Sequence, residues 1–153
     1  MNKLNLASVL TLFFLWANNS MAKGDTSIVL NGEVGECIKK FGDKNIECIN
    51  AAQEASEQKL TVAFKSKLSE INHYDYTQWW MANREQRDAM AKSFENSQVF
   101  WLKYRDEYCR AVTSPVGATK DFGPVDAACH INMNNKRIQD INHVHMDISD
   151  EDY

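Results

Sequence analysis

The sequence predicts an all-α fold: a small disulfide-stapled helical bundle in which a long antiparallel helix pair carries a third helix. Three observations lead to this prediction. Apolar residues recur at helical spacing over three long stretches, no segment of any length alternates as a strand does, and neither Gly nor Pro interrupts residues 44–114. The chain has 153 residues, 44% of them hydrophobic, which suits one globular domain.

The first 22 residues predict a secretory signal peptide. Lys3 supplies the positive charge, Leu4–Ala17 is apolar, and Ser20 and Ala22 place small residues where signal peptidase cuts. The apolar run is short for a membrane anchor, so we expect cleavage after Ala22 and a periplasmic or secreted protein. Because the first cysteine is Cys37, well beyond that position, no lipid anchor is expected.

The charge is unevenly distributed. The formal net charge is −4, which argues against a general nucleic-acid binder. We expect residues 143–153 to form an acidic, disordered tail, because four acids lie in the last seven residues: Asp147, Asp150, Glu151 and Asp152. After signal cleavage no remaining stretch is long and apolar enough to predict a membrane span.

The four cysteines predict two disulfides, because an even count in a small exported chain is typical of such bridges. Three pairings are possible. We favour Cys37–Cys48 and Cys109–Cys129, since each pair brackets helix-breaking residues: Gly42 and Asp43 in the first, and Pro115, Gly117, Gly123 and Pro124 in the second. On one continuous helix, Cys37 and Cys48 would lie about 16 Å apart, too far for a disulfide. Metal binding by the four thiols is the disfavoured alternative, because no C-x-x-C pair exists.

The first predicted helix, helix A, runs from about Asp43 to Leu68 or Ile71. Asp43 or Asn45 is a candidate N-cap. Residues 23–42 before it are expected to form an N-terminal segment that carries Cys37. Apolar residues at helical spacing define the buried face of helix A: Ile46, Ile49, Leu60, Phe64, Leu68 and Ile71.

The second predicted helix, helix B, ends by Thr113. Asn83 followed by Gln86 resembles a capping box, and Thr77 is an alternative, earlier start. Six residues stepping by four and three predict a continuous core stripe, with Trp101 in its middle: Met90, Phe94, Ser97, Trp101, Tyr104 and Tyr108.

The third predicted helix, helix C, starts at Pro124, a preferred first-turn residue, and fades after Asn142. The short Ser27–Leu30 run is either a strand or merely extended. Helix C carries its own apolar face: Ala128, Ile131, Ile138 and Ile141. Antiparallel packing of A and B would gather both disulfides at the end where A begins, B ends and C begins.

One pattern of residues resembles a known family. Helix B contains Gln-x-x-Trp-x-x-x-Arg-x-x-x-Cys, and helix C contains Cys-x7-Arg, in the residues Gln98, Trp101, Arg105, Cys109, Cys129 and Arg137. Over Cys37–Ile141 the chain is similar to the lysozyme inhibitor LprI-like N-terminal domain family of small exported bacterial proteins. The resemblance implies an all-α domain and a protein-binding, inhibitory function. The chain departs from the inhibitor that names the family, which is lipid-anchored, and its A–B connection is long.

Arg105 and Arg137 match the motif of that family and have two possible roles. They could contact a partner protein, or they could pair within the bundle with carboxylates such as Asp106 or Glu47. We favour the second role, because arginines fixed on packed helices usually find an internal carboxylate or carbonyl.

The connection between helices A and B carries two adjacent tryptophans. Trp79 and Trp80 cannot both face inward on a helix, because neighbouring positions differ by about 100°. One of them, with Tyr74 and Tyr76, is therefore a candidate partner surface; the alternative is that these rings cap the far end of the core.

The leading functional hypothesis is a protein that binds and inhibits lysozyme or a related cell-wall hydrolase by occluding its groove. The loop within 112–125 is the candidate contact, through Ser114, Lys120 and Phe122. No nucleophile-elbow, zinc-protease or phosphate-loop motif is present, and paired cysteines leave no thiol nucleophile, so we expect neither catalysis nor a cofactor.

Two alternatives remain. A toxin-neutralising envelope protein of the immunity type would use the aromatic A–B connection. A periplasmic metal binder would use His130, His143 and His145; we expect no metal site, because His143 and His145 lie where helix C fades.

Overall fold

The computed structural model describes residues 31–75 and 83–145, and in these the fold is entirely helical. Two 3-10 turns, Gly42–Lys44 and Ser114–Val116, accompany four α-helices: α1 (Gly32–Phe41), α2 (Ile46–His73), α3 (Arg84–Thr113) and α4 (Phe122–Asn142). No strand occurs in the described residues, so the predicted all-α class is confirmed.

Several predicted features lie outside the described residues. They are the signal peptide, the Ser27–Leu30 run, the alternative start at Thr77, the tryptophans Trp79 and Trp80 with Tyr76, and the remainder of the acidic tail, 146–153.

Helix α1 was not predicted. It lies within the segment expected to carry only Cys37, and Asn31 caps it by accepting hydrogen bonds from the backbone N–H groups of Glu33 (2.8 Å) and Val34 (3.2 Å). Its ten residues include Gly32 and Gly35, which disfavour helix intrinsically, so propensity gave little signal. Burial of Val34 and Cys37 against α2 and α4 compensates for this low helix propensity.

The capping predictions had opposite outcomes. Helix α3 begins with the predicted capping box, in which Asn83 and Gln86 exchange side chain–backbone hydrogen bonds of 2.8 and 2.9 Å. At α2 the predicted side-chain cap is wrong: Asn45 occupies the N-cap position, but its amide donates to the carbonyl of Gly42. The preceding 3-10 turn explains this, because it presents that carbonyl to the Asn45 side chain.

The three long helices form the predicted antiparallel pair plus a third member. Helix α3 runs antiparallel to α2, since Arg105 contacts Glu57 while Phe94, earlier on α3, stacks on Phe64, later on α2. Helix α4 runs parallel to α2, because residue numbers increase in the same direction along both helices: Asn134 contacts Ser56, and further on the carbonyl of Val144 contacts Lys67. Helix α4 begins at Phe122, two residues before the predicted start.

Two apolar clusters fill the bundle. The larger joins α1, α2 and α4 and contains Val34, Cys37, Ile49, Ala127, Ala128 and Ile131. The smaller lies at the other end of α2, where Ile71 packs on Ala91 of α3 with Leu68, Tyr74, Met90 and Phe94 around them. One residue of the predicted α2 stripe, Ile46, is 54% exposed instead, because it lies in the first turn beyond the larger cluster.

The disulfides join Cys37 to Cys48 and Cys109 to Cys129, with Cα–Cα distances of 5.6 and 5.7 Å. This is the pairing favoured by the sequence. The first bridge folds α1 back onto α2 and the second joins α3 to α4. Because α2 and α4 start at the same end of the bundle, both bridges lie there, around the α3–α4 loop.

None of the helices in the described part has the length and apolar character needed to cross a bilayer.

Candidate functional site

The buried line of α3 differs from the stripe that the sequence predicted. The buried residues of this helix are Ala91, Gln98, Arg105, Cys109 and Thr113. Of the predicted stripe, Trp101 is only half-buried and Tyr104 is 57% exposed. The start of the stripe, Met90 and Phe94, packs on α2. Because α3 packs against α2 and α4 at once, its buried line turns away from the later part of the stripe, Trp101 and Tyr104. The prediction that Trp101 lies in the core is therefore only partly correct.

Arg105 lies at the centre of a polar junction between three helices. Its Nη1 donates to Glu57 Oε1 of α2 at 2.6 Å and to Asn134 Oδ1 of α4 at 2.8 Å. Its Nε and Nη2 donate to Asp106 Oδ1 at 3.1 and 3.0 Å. Two carboxylates thus neutralise this guanidinium, whose side chain is 10% exposed. Asp106 is one of the partners anticipated for the two arginines; Glu57, rather than Glu47, is the other.

Asn134 is a buried residue of this polar junction that the sequence analysis missed. Its side chain is fully buried, and its Nδ2 donates to Ser56 Oγ at 3.1 Å and to Glu57 Oε1 at 3.0 Å. A signal was available: Asn134 falls at helical spacing between Ile131 and Ile141, on the apolar face of α4. A polar residue inside an apolar stripe indicates a buried hydrogen-bond network.

Arg137 occupies a different environment. Its Nε donates to Gln98 Oε1 at 3.0 Å and its Nη2 donates to Ser97 Oγ at 2.8 Å. Within the described residues no carboxylate forms an ion pair with it. Desolvation by burial lowers the pKa of Arg137 from its ordinary value, while the negative charge of Asp140 acts in the opposite direction.

Trp101 connects the two arginines. The guanidinium carbon of Arg105 lies 5.6 Å from a ring centroid of this indole, and that of Arg137 lies 5.8 Å away. Both distances are those of cation–π contacts, which favour tryptophan among the aromatic residues. The three motif residues therefore form one stacked unit between α3 and α4.

The α3–α4 loop, Ser114–Asp121, is short and internally hydrogen-bonded. The backbone N–H groups of Gly117, Thr119 and Phe122 donate to carbonyls within the loop, and the Thr119 hydroxyl accepts from the backbone N–H of Asp121 at 3.2 Å. Of the candidate contacts, Ser114 donates its hydroxyl to the carbonyl of Arg110 at 2.9 Å. Lys120 is exposed, and Phe122 is 44% exposed as the first residue of α4.

The three histidines of the metal hypothesis occupy different environments on and after α4. His130 places Nδ1 2.9 Å from the carbonyl oxygen of Asp126, one turn back on α4, whereas His143 and His145 are exposed after that helix. Across residues 31–75 and 83–145, no group of three or more His, Cys, Asp or Glu side chains is placed to hold a metal ion. The metal hypothesis therefore gains no support from this part of the chain.

Two surface grooves flank α2. One, of about 870 Å³, lies between α2 and α4 and includes Val62 and Ile138. The other, of about 550 Å³, lies between α2 and α3 and includes Phe64 and Leu102. Of the partner contacts proposed from the sequence, the described ones, Ser114, Lys120 and Phe122, line neither groove.

A comparison with protein-family models decides the family of the chain. The model described as Lysozyme inhibitor LprI matches residues 37–141, more than half of the chain. The chain belongs to the lysozyme inhibitor LprI family. The match begins at Cys37 and ends at Ile141, so both disulfides, the Trp101 unit and the α3–α4 loop of this LprI-family protein lie inside it. The family is one of inhibitors rather than enzymes, and family and disulfides together agree with an exported protein. No curated protein and no solved structure matches the chain.

Proposed function

We propose that this LprI-family protein is exported to the periplasm or secreted and there inhibits lysozyme or a related cell-wall hydrolase. It binds the hydrolase and occludes its substrate groove with the α3–α4 loop, without chemistry of its own. The family supports the class of target, and the two disulfides support an oxidising compartment.

The observation that carries this proposal is that a disulfide and internal hydrogen bonds order the α3–α4 loop. The Cys109–Cys129 disulfide joins α3 and α4, the two helices that flank the loop, and hydrogen bonds inside the loop hold its shape. A segment that is already ordered loses little conformational entropy when it enters a groove, and this favours tight binding.

The exposed side chains at the loop end suit a hydrolase groove. Glycoside hydrolases carry a pair of carboxyl groups where the sugar chain is cut, and the exposed ammonium of Lys120 is a suitable partner for them. Phe122 adds apolar surface, as do Phe41 and Ile46 at the corner between α1 and α2. That corner lies at the same end of the bundle as the loop, because α2 and α4 are parallel. This end of the bundle thus offers a partner one exposed cation and several exposed apolar side chains.

Inhibition of cell-wall lysis tests the proposal. The wild-type protein, at micromolar concentration, should slow the clearing of a bacterial suspension by at least one of several lysozyme types. Replacing Ser114–Asp121 with a Gly/Ser segment of equal length should leave the helical circular dichroism nearly unchanged and abolish inhibition. A wild-type protein that slows none of the lysozymes would refute the proposed function.

The position of the contact is tested separately. If the loop-swapped protein still inhibits while Trp79→Ala or Trp80→Ala does not, the binding face lies on the α2–α3 connection, and only the loop assignment fails.

A further inference from the structure

Two arginines contact the same indole but differ in how their charge is compensated. Arg105 is paired with two carboxylates, Glu57 and Asp106. Arg137, on the same ring, has neutral hydrogen-bond partners, and the described residues supply it with no carboxylate at ion-pair distance. Asp140, three residues on, acts on Arg137 electrostatically, yet the hydrogen bonds of Arg137 go to neutral groups. A partly desolvated guanidinium of this kind still offers charge and donors to an incoming anion.

The Arg137 side chain is held in place by groups that leave its charge intact. Ser97 donates its hydroxyl to the carbonyl of Phe94 at 2.7 Å, which directs an oxygen lone pair toward Nη2 of Arg137. Gln98, itself buried, accepts from Nε, and the Trp101 ring covers the guanidinium. The cation is therefore oriented before any partner arrives, so that an incoming anion meets a low ordering cost.

Exposed aromatic side chains continue along α3 from Ser97, which contacts Arg137. Phe100 and Tyr104 follow Ser97 by three and seven residues, so they share its face of α3, and they are 67% and 57% exposed. The Tyr108 ring lies 5.9 Å from that of Tyr104 and extends the same surface by one turn. Exposed aromatic side chains on the helix face that also carries Ser97, the contact of Arg137, have the composition of a protein-binding hot spot.

We propose that this α3/α4 face, formed by Arg137, Phe100 and Tyr104, binds an acidic side chain of the target hydrolase. Arg137 donates a charge-assisted hydrogen bond to that carboxylate, and the two aromatic rings exclude water around it. The inference rests on the proposed function and adds a second contact, distinct from the α3–α4 loop. Arg105 has no such role, because its carboxylate partners belong to its own chain.

Two substitutions remove the available charge by different routes. Arg137→Gln deletes the guanidinium. Ser97→Asp keeps it but places a carboxylate of the same chain where the Ser97 hydroxyl now lies 2.8 Å from Nη2, so that Arg137 is neutralised internally. The matched controls are Lys136→Gln, which removes the charge of the exposed neighbour on α4, and Ser69→Asp, which adds the same acid to an exposed position of α2.

Binding of each full-length variant to an inhibited lysozyme is measured by calorimetry, and thermal unfolding verifies that each variant is folded. Arg137→Gln and Ser97→Asp should each weaken binding by about tenfold or more, whereas both controls should bind within about twofold of wild type. If only Arg137→Gln weakens binding, the loss comes from its hydrogen bonds to α3 and the inference is overturned. It is equally overturned if Arg137→Gln binds like wild type. In either case wild-type binding leaves the proposed function standing; a wild type that binds no lysozyme ends both.

Discussion

The guanidinium of Arg105 lies 2.6 Å from the carboxylate of Glu57, and this ion pair joins the last third of α3 to the middle of α2. Asn134 of α4 hydrogen-bonds to both partners, so three helices meet at one polar junction. Apolar helix faces tolerate small sliding movements, but such a junction is satisfied in only one arrangement. We infer that it fixes the register of the bundle and thereby the position of the Trp101 unit beside it.

Glu57→Gln should destabilise the protein by about 1 kcal/mol, because it removes one of the two carboxylates that neutralise Arg105. The loss is modest, since the Glu57 side chain is 39% exposed and Asp106 remains. The free energy of unfolding in urea is the measurement. Glu54→Gln, an exposed acid one turn earlier on α2, is the control. Equal stability of the two variants would show that the ion pair contributes nothing net.

Asn134→Leu should cost more, about 2–4 kcal/mol, although leucine keeps the branched shape of asparagine. The change removes the fully buried amide that bonds Arg105, Ser56 and Glu57. Arg105 and Ser56 are buried and lose this partner where little water can replace it. Asn135→Leu places the same residue at an exposed neighbouring position and should be nearly neutral. Chemical denaturation of both variants distinguishes the junction from a general effect of added leucine.

Local patterns in the sequence were sufficient to predict most of the fold. Long uninterrupted periodicity predicted α2 and α3, the Asn83–Gln86 pair located the start of α3, and the breakers between the cysteines favoured the disulfide pairing that the structure shows. Helix α1 was not predicted, because its stability comes from burial of Val34 and Cys37 against segments that are distant in sequence, and no local pattern indicates such contacts.

The candidate site was harder to predict because its properties depend on which side of α3 faces α4. The periodicity of α3 predicted an aromatic core stripe, yet tertiary packing buries Gln98 and Arg105 and leaves Tyr104 exposed. Spacing alone also treats Arg105 and Arg137 alike. Only their partners, carboxylates for one and neutral groups for the other, distinguish them.

Removing the Cys109–Cys129 bridge by a double Cys→Ala change should destabilise the protein more than removing Cys37–Cys48. The bridges span 20 and 11 residues, and the longer closed loop restricts the unfolded chain more, a difference of about 0.5 kcal/mol. Cys109 and Cys129 are also both buried, so their packing is disturbed as well. Thermal unfolding of the two double variants gives the order, and peptide mapping without reduction verifies the pairing. A Cys48–Cys109 peptide would contradict it.

Lys120→Ala and Phe122→Ala should each weaken lysozyme inhibition by about tenfold while leaving the unfolding temperature nearly unchanged. Both side chains are exposed at the loop end, so they contribute little to the bundle. Lys65→Ala and Val62→Ala alter an exposed base and an exposed apolar residue on α2 and should leave inhibition intact.

Added salt distinguishes the two contacts. Screening weakens the electrostatic attraction of the exposed Lys120 ammonium, whereas the apolar contact of Phe122 is not screened. The effect of Lys120→Ala should therefore shrink as salt increases, and that of Phe122→Ala should persist. Equal salt dependence of the two variants would contradict an ionic role for Lys120 in the loop contact.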